Sequence, residues 1–130
     1  MEWSEIKLWR RETRADIIAR RTALHHGERL ALRPAVEASI ARLLPAVEGK
    51  TVGFYWPFRA EIALKDFIRG LLARGTAGAA LPVVVEKNQP VEFWRWQPRM
   101  PLARGIWDIP IPAERDPVVP DIALVPLVGF

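Results

Sequence analysis

The sequence contains no cysteine. That excludes a disulfide framework, a thiol nucleophile, a cysteine zinc site and thiol redox chemistry, and it agrees with a reducing compartment. Histidine is scarce as well: His25 and His26 are the two present, side by side. On a helix they would point about 100° apart, so helix-end or surface positions are expected for them, not a shared metal. Long apolar runs are absent, and no segment reads as a membrane-spanning helix. The opening Met1-Glu2-Trp3-Ser4-Glu5 lacks the basic-then-apolar pattern of a secretory signal, and a cytoplasmic location is expected. There is no Walker-type phosphate loop, since Gly75-Thr76-Ala77-Gly78 has no lysine and reads as a helix-to-strand turn. A G-x-S-x-G elbow and an H-E-x-x-H motif are missing too.

What is present describes one soluble globular domain, residues 1–130. Half of the residues are hydrophobic and 26% are charged, and a chain of this length buries about two thirds of its unfolded surface without staples. The formal charge is +4, and 15 of the 19 basic residues are arginine, whose fork of donors suits phosphate and carboxylate. The pI of about 10.1 invites a nucleic-acid reading. However, residues 1–50 carry 10 basic and 7 acidic groups and residues 51–130 carry 9 and 8, the balance of a solvated surface.

Ser4 is the expected N-cap of a first amphipathic helix over residues 5–25 with Ile6, Trp9, Thr13, Ile17 and Leu24 on its apolar side and Gly27 as its stop. Pro34 suits the first turn of a second helix, 34–44, and Pro45 blocks its extension. A strand is expected at 51–56. A helix follows over 60–74, with Gly75 just past its end, and then an apolar strand at 79–85. Strand, helix and strand at these lengths form one βαβ unit with a parallel pair. Residues 91–96 read as a further strand and 122–125 as a buried one, joined by a proline-rich connection expected to be irregular.

Open α/β sheets bind ligands beyond the carboxyl ends of their strands, which directs attention to Trp56-Pro57-Phe58-Arg59-Ala60-Glu61. In the expected helix, Glu61 occupies the first turn. There it is either a carboxylate favoured by the helix dipole or a hydrogen-bond acceptor for a ligand, with Trp56 and Phe58 as apolar walls. Lys7, Arg11 and Arg14 fall at i, i+4 and i+7 on the first helix. This is a basic stripe that is either a solvated face or a clamp for phosphate. Among the six tryptophans, Trp94, Trp96 and Trp107 offer a stacking platform, although core packing is the commoner fate of aromatic residues.

The order of motifs resembles the 5-formyltetrahydrofolate cyclo-ligase family, the methenyltetrahydrofolate synthetases. The matching features run through the chain: the helix with Lys7 and Arg11, Tyr55-Trp56-Pro57-Phe58 with Glu61-Ile62, and Leu81-Pro82 after Gly75. Trp107-Asp108-Ile109-Pro110-Ile111-Pro112 follows, and then the run from Asp121 to Phe130. The resemblance implies a three-layer α/β/α fold with a mainly parallel sheet. It also implies a ligase of one-carbon metabolism that uses ATP and Mg²⁺ to cyclise 5-formyltetrahydrofolate. Carried over by position, Lys7 and Arg11 are nucleotide-phosphate ligands, Glu61 is a folate-side acceptor, and Phe58 and Trp107 are walls near the pterin. Arg14 is added from helical spacing alone. Folate and ATP are then the expected partners, with neither nucleic acid nor membrane. A domain that binds nucleotide or folate without turnover and, more remotely, a basic nucleic-acid-binding protein stay open as alternatives. In the family the Gly-Phe segment is followed by Asp and a glycine-rich phosphate-binding loop. This sequence stops at Phe130, so a C-terminally truncated domain is expected.

Overall fold

The computed structural model describes residues 2–128; Gly129 and Phe130, the end of the motif that starts at Asp121, lie outside the described residues. Helix α1 spans Trp3–Ala23, with Glu2 rather than Ser4 as its N-cap. The reason is local: the Glu2 N–H donates to the Glu5 carboxylate at 2.7 Å, which closes the first turn before Ser4 is reached. The helix ends where Leu24 turns extended, not at Gly27, and His25 caps a second helix, α2, over His26–Leu43. The histidines are thus helix-end residues, as expected.

Gly27 and Pro34 both lie inside α2, against the expectation of a stop at one and a start at the other. Glu28 to Arg33 are strong helix formers. The spacing of Leu32, Val36 and Ile40 also keeps one apolar face running through the proline, which offsets the hydrogen bond that the proline removes.

The sheet begins with β1 (Thr51–Phe54), followed by α3 (Lys65–Ala73) and β2 (Gly78–Val83). β1 and β2 pair in parallel with Thr51 opposite Gly78, giving the expected βαβ unit. At the end of α3, Gly75 takes φ +102°, and the N–H groups of Gly75 and Thr76 return to the carbonyls of Leu72 and Leu71. β3 (Glu92–Trp96) runs antiparallel to β2, and the two-residue β6 (Pro117–Val118) runs antiparallel to β3. β7 (Ile122–Leu124) lies parallel to β1 on its free side, completing the order β6-β3-β2-β1-β7. Since β6 reverses β3 and β3 reverses β2, four of these five strands point the same way. The α/β class and the mainly parallel sheet are therefore as expected.

Two details differ from expectation. β7 is an edge strand with Ala123 exposed, not a strand buried on both faces. The proline-rich connection is more regular than expected, because β4 (Leu102–Arg104) and β5 (Pro110–Pro112) form an antiparallel hairpin through a 3₁₀ turn at Ile106–Asp108. A two-stranded hairpin consists only of edges, so its prolines need not donate to a ladder.

Val52, Phe54, Ala79, Leu81 and Trp96 face Phe67, Ile68 and Leu71 of α3 in the core, and α2 joins them through Ile40 and Leu44. Phe54 meets Trp96 edge-on with centroids 5.1 Å apart. No residue of α1 is buried. At the start of β7, Thr51 N–H donates to the Asp121 carboxylate at 2.8 Å and Asp121 N–H to the Thr51 carbonyl at 2.9 Å. This pins the register that brings the carboxyl ends of β1 and β7 together. No helix among the described residues is long and apolar enough to cross a membrane.

Candidate active site

Beyond those carboxyl ends lies a groove of about 530 Å³. Its apolar wall is one face of α2, because Leu32, Val36 and Ile40 recur every four residues, and Leu24, Tyr55 and Ile62 extend it. Segment 123–128, from β7 onward, forms the opposite side. Three charged residues line it: Arg21 from the last turn of α1, Arg29 from the first turns of α2, and Glu61 from the loop after β1.

That loop is not the helical turn expected from the sequence. α3 starts four residues later than residue 61, at Lys65, and Arg59 and Ala60 both take positive φ, 49° and 63°. Such a conformation is costly for residues with a Cβ and persists only where neighbours fix it. Here the Glu61 carboxylate accepts the Phe58 N–H at 2.9 Å, and the Glu61 N–H donates to the Phe58 carbonyl at 3.2 Å. From outside the loop, Arg21 Nε donates to the Arg59 carbonyl at 2.8 Å. Glu61 therefore closes a tight turn instead of meeting a helix dipole, and one of its oxygens stays unbonded among the described residues.

The sequence-derived candidates are only partly brought together. Glu61 lines the groove, and Phe58 is exposed on the same loop with the Arg59 guanidinium over its ring at 5.1 Å. Lys7 and Arg11 are exposed near the other end of α1. At 1.5 Å per residue they stand about 21 and about 15 Å from Arg21 along the helix. Trp107, 65% exposed with φ 59°, sits in the turn of the β4–β5 hairpin, outside the groove lining. The tryptophans separate: Trp96 joins the core, Trp94 is half-buried and Trp107 is exposed. Arg21 and Arg29 were not among the candidates. Arg21 was within reach, because it continues the seven-residue step from Lys7 through Arg14, whereas Arg29 fell in a stretch expected to be loop.

A model of the 5-formyltetrahydrofolate cyclo-ligase family matches residues 6–130. The chain belongs to this family. Its fold is similar to the NMR structure of the 5,10-methenyltetrahydrofolate synthetase of Aquifex aeolicus, with a TM-score of 0.74 and 28% identity over 92% of this chain and 61% of that one. It is also similar to the 5,10-methenyltetrahydrofolate synthetase of Mycoplasma pneumoniae, with a TM-score of 0.54 and 26% identity over 64% of this chain and 51% of that one. No curated protein matches the sequence. The cyclo-ligase-family chain thus spans about three fifths of the first synthetase's length, with an α/β fold in common. As for the Mg²⁺ expected with this family, no group of three or more metal-ligating side chains occurs among the described residues. Glu61 is the one carboxylate in the groove, so these residues form no magnesium cage.

Proposed function

We propose that this protein takes part in the ATP-dependent cyclisation of 5-formyltetrahydrofolate to 5,10-methenyltetrahydrofolate, with release of ADP and phosphate, and that the groove beside Glu61 receives the folate. The observation that carries this reading is the position of Glu61. In a chain of the cyclo-ligase family, it holds a carboxylate at the carboxyl ends of two parallel strands beside an apolar wall. One Glu61 oxygen is committed to the Phe58 N–H, which fixes the carboxylate so that the other can accept N–H groups of a pterin. Phe58 presents an exposed ring on the Glu61 loop for contact with an aromatic ligand, while Trp107, the other proposed wall, is exposed on the β4–β5 hairpin outside the groove lining.

In the proposed reaction the formyl oxygen attacks the γ-phosphorus of ATP and ADP leaves. The folate N10 then attacks the activated carbon and gives up its proton to solvent, and phosphate departs with the former formyl oxygen. Positioning and charge neutralisation dominate such a transfer, which accounts for the lack of a protein nucleophile. Lys7 and Arg11 are the proposed phosphate ligands. Neither is in an ion pair among the described residues, so both are available to an anion. Mg²⁺ would be carried mainly by the nucleotide's own phosphates.

A second reading, binding without turnover, draws support from the distance of Lys7 and Arg11 from the groove. An absorbance assay for methenyltetrahydrofolate separates the two. ATP-dependent product supports the cyclo-ligase, folate binding without product supports the binding module, and the absence of both rejects the folate assignment. A cytoplasmic location is part of the same proposal.

A further inference from the structure

We propose that Arg21 and Arg29 form a carboxylate-binding end of the groove, which takes the two carboxylates of the glutamyl part of a folate-type ligand while its ring system lies on the apolar wall. The proposal rests on the folate reading above and adds which groups select the ligand's acidic end.

Both arginines are half-buried, and both are already oriented by the backbone: Arg21 Nε donates to the Arg59 carbonyl at 2.8 Å and Arg29 Nη1 to the Leu24 carbonyl at 3.1 Å. Each such bond uses one N–H and holds the guanidinium plane, leaving other N–H groups to donate. Among the described residues neither arginine has a carboxylate within 4.0 Å. The groove's own acid, Glu61, is turned to the Phe58 N–H and pairs with neither. Two cations partly withdrawn from water beside Leu24, Leu32 and Val36 thus lack a counter-ion, and a bound anion would supply it.

Carboxylate fits better than phosphate. A planar carboxylate matches the guanidinium fork, while the groove has neither a glycine-rich loop nor a lysine. The two forks equal in number the two carboxylates of one glutamyl group, and the volume lies in the range of small-molecule sites.

Calorimetric titration of the full chain tests this with 5-formyltetrahydrofolate, with 5-formyltetrahydropteroate as its primary amide, which lacks the glutamate and has no carboxylate, and with p-aminobenzoylglutamate, which lacks the pterin. Arg29→Gln and Arg21→Gln should each weaken the two glutamate-bearing compounds about tenfold, or about 1.4 kcal/mol, and leave the pteroate within about twofold. Arg29→Gln leaves the Arg21–Arg59 link intact, so its effect is not one of loop collapse. Unchanged affinity in both variants, equal weakening of the pteroate, or a selective loss of ATP binding would each overturn the proposal. So would a wild type that binds neither of the two glutamate-bearing compounds. If the wild type binds p-aminobenzoylglutamate but not 5-formyltetrahydrofolate, the carboxylate end stands and the folate reading falls. If it binds 5-formyltetrahydrofolate and the variants match it, the reverse holds.

Discussion

At the scale of single residues, Glu61 shows how a side chain can serve structure and ligand at once. Its carboxylate closes the Phe58–Glu61 turn, and that turn carries two residues at positive φ. Removing the acceptor in Glu61→Ala should lower stability by about 1 kcal/mol, the net worth of one hydrogen bond, whereas Glu61→Gln keeps an acceptor oxygen and should cost about half of that or less. Both variants should bind 5-formyltetrahydrofolate more weakly. Thermal melts alongside a folate titration check the two effects separately, and a Gln variant with wild-type folate affinity would remove Glu61 from the site. For Lys7 and Arg11 the expectation is different. Lys7 makes only an exposed contact over the Trp3 ring at 5.4 Å, and Arg11 no hydrogen bond or ion pair among the described residues, so Lys7→Ala and Arg11→Ala should change the melting temperature little. Each should weaken ATP by about tenfold to a hundredfold if it holds a phosphate through a charge-assisted bond of about 1.5–3 kcal/mol. Arg14→Ala should do less. Unchanged ATP kinetics in the Lys7 variant would make the stripe a solvated face.

Among the elements, a close tolerance lies between β1 and β3. A Cβ built on Gly53 would stand 2.8 Å from a ring carbon of Phe93, which is itself edge-on to Tyr55 at 6.3 Å, and 3.3 Å from Pro120. Gly53→Ala would therefore force the Phe93 ring out of its contact, and overpacking of this kind costs about 1–3 kcal/mol. The Tyr55 ring borders the groove, so the same change should disturb ligand binding. Gly53→Ala combined with Phe93→Leu, which opens space at that point, should regain part of the lost stability in urea unfolding. If the double variant is no better than the single one, the clash is not the cause. The α2–α3 contact is held partly by charge, since Arg33 lies 3.4 Å from Glu37 and 3.5 Å from Asp66. These partly exposed pairs contribute little, and Arg33→Ala should cost no more than about 1 kcal/mol.

Taken as a whole, the described molecule has an open side. β7 pairs with β1 alone among the described strands, and Val125 and Leu127, 58% and 66% exposed, continue from it along the groove. An unpaired strand edge beside exposed apolar residues is a template for association. The 130-residue chain studied by itself should therefore self-associate with rising concentration in light scattering. Leu127→Lys, which places a charge on that surface, should reduce the effect. A chain that stays monodisperse at every concentration would show that this edge is adequately protected.

Much of this architecture was legible in the sequence because the signals are local. Short apolar runs mark the strands, Gly75 marks the end of α3 by its freedom to take positive φ, and the strand–helix–strand spacing requires the parallel β1–β2 pair. The order of the motifs likewise pointed to the cyclo-ligase family. What the chain could not announce was decided by contacts between distant residues. Pro34 reads as a helix start, yet α2 runs through it because the face at Leu32, Val36 and Ile40 is of use only against the rest of the fold. Glu61 reads as the first turn of a helix, yet the loop is held at positive φ by an arginine 38 positions away from Arg59. Arg21 reads as an ordinary helix-surface cation and Arg29 as a loop residue until tertiary structure places them, without counter-ions, around one groove. Periodicity and turn chemistry act over a few residues and so fix the elements. The groove depends on the relative placement of α1, α2, β1 and β7, which only long-range packing determines.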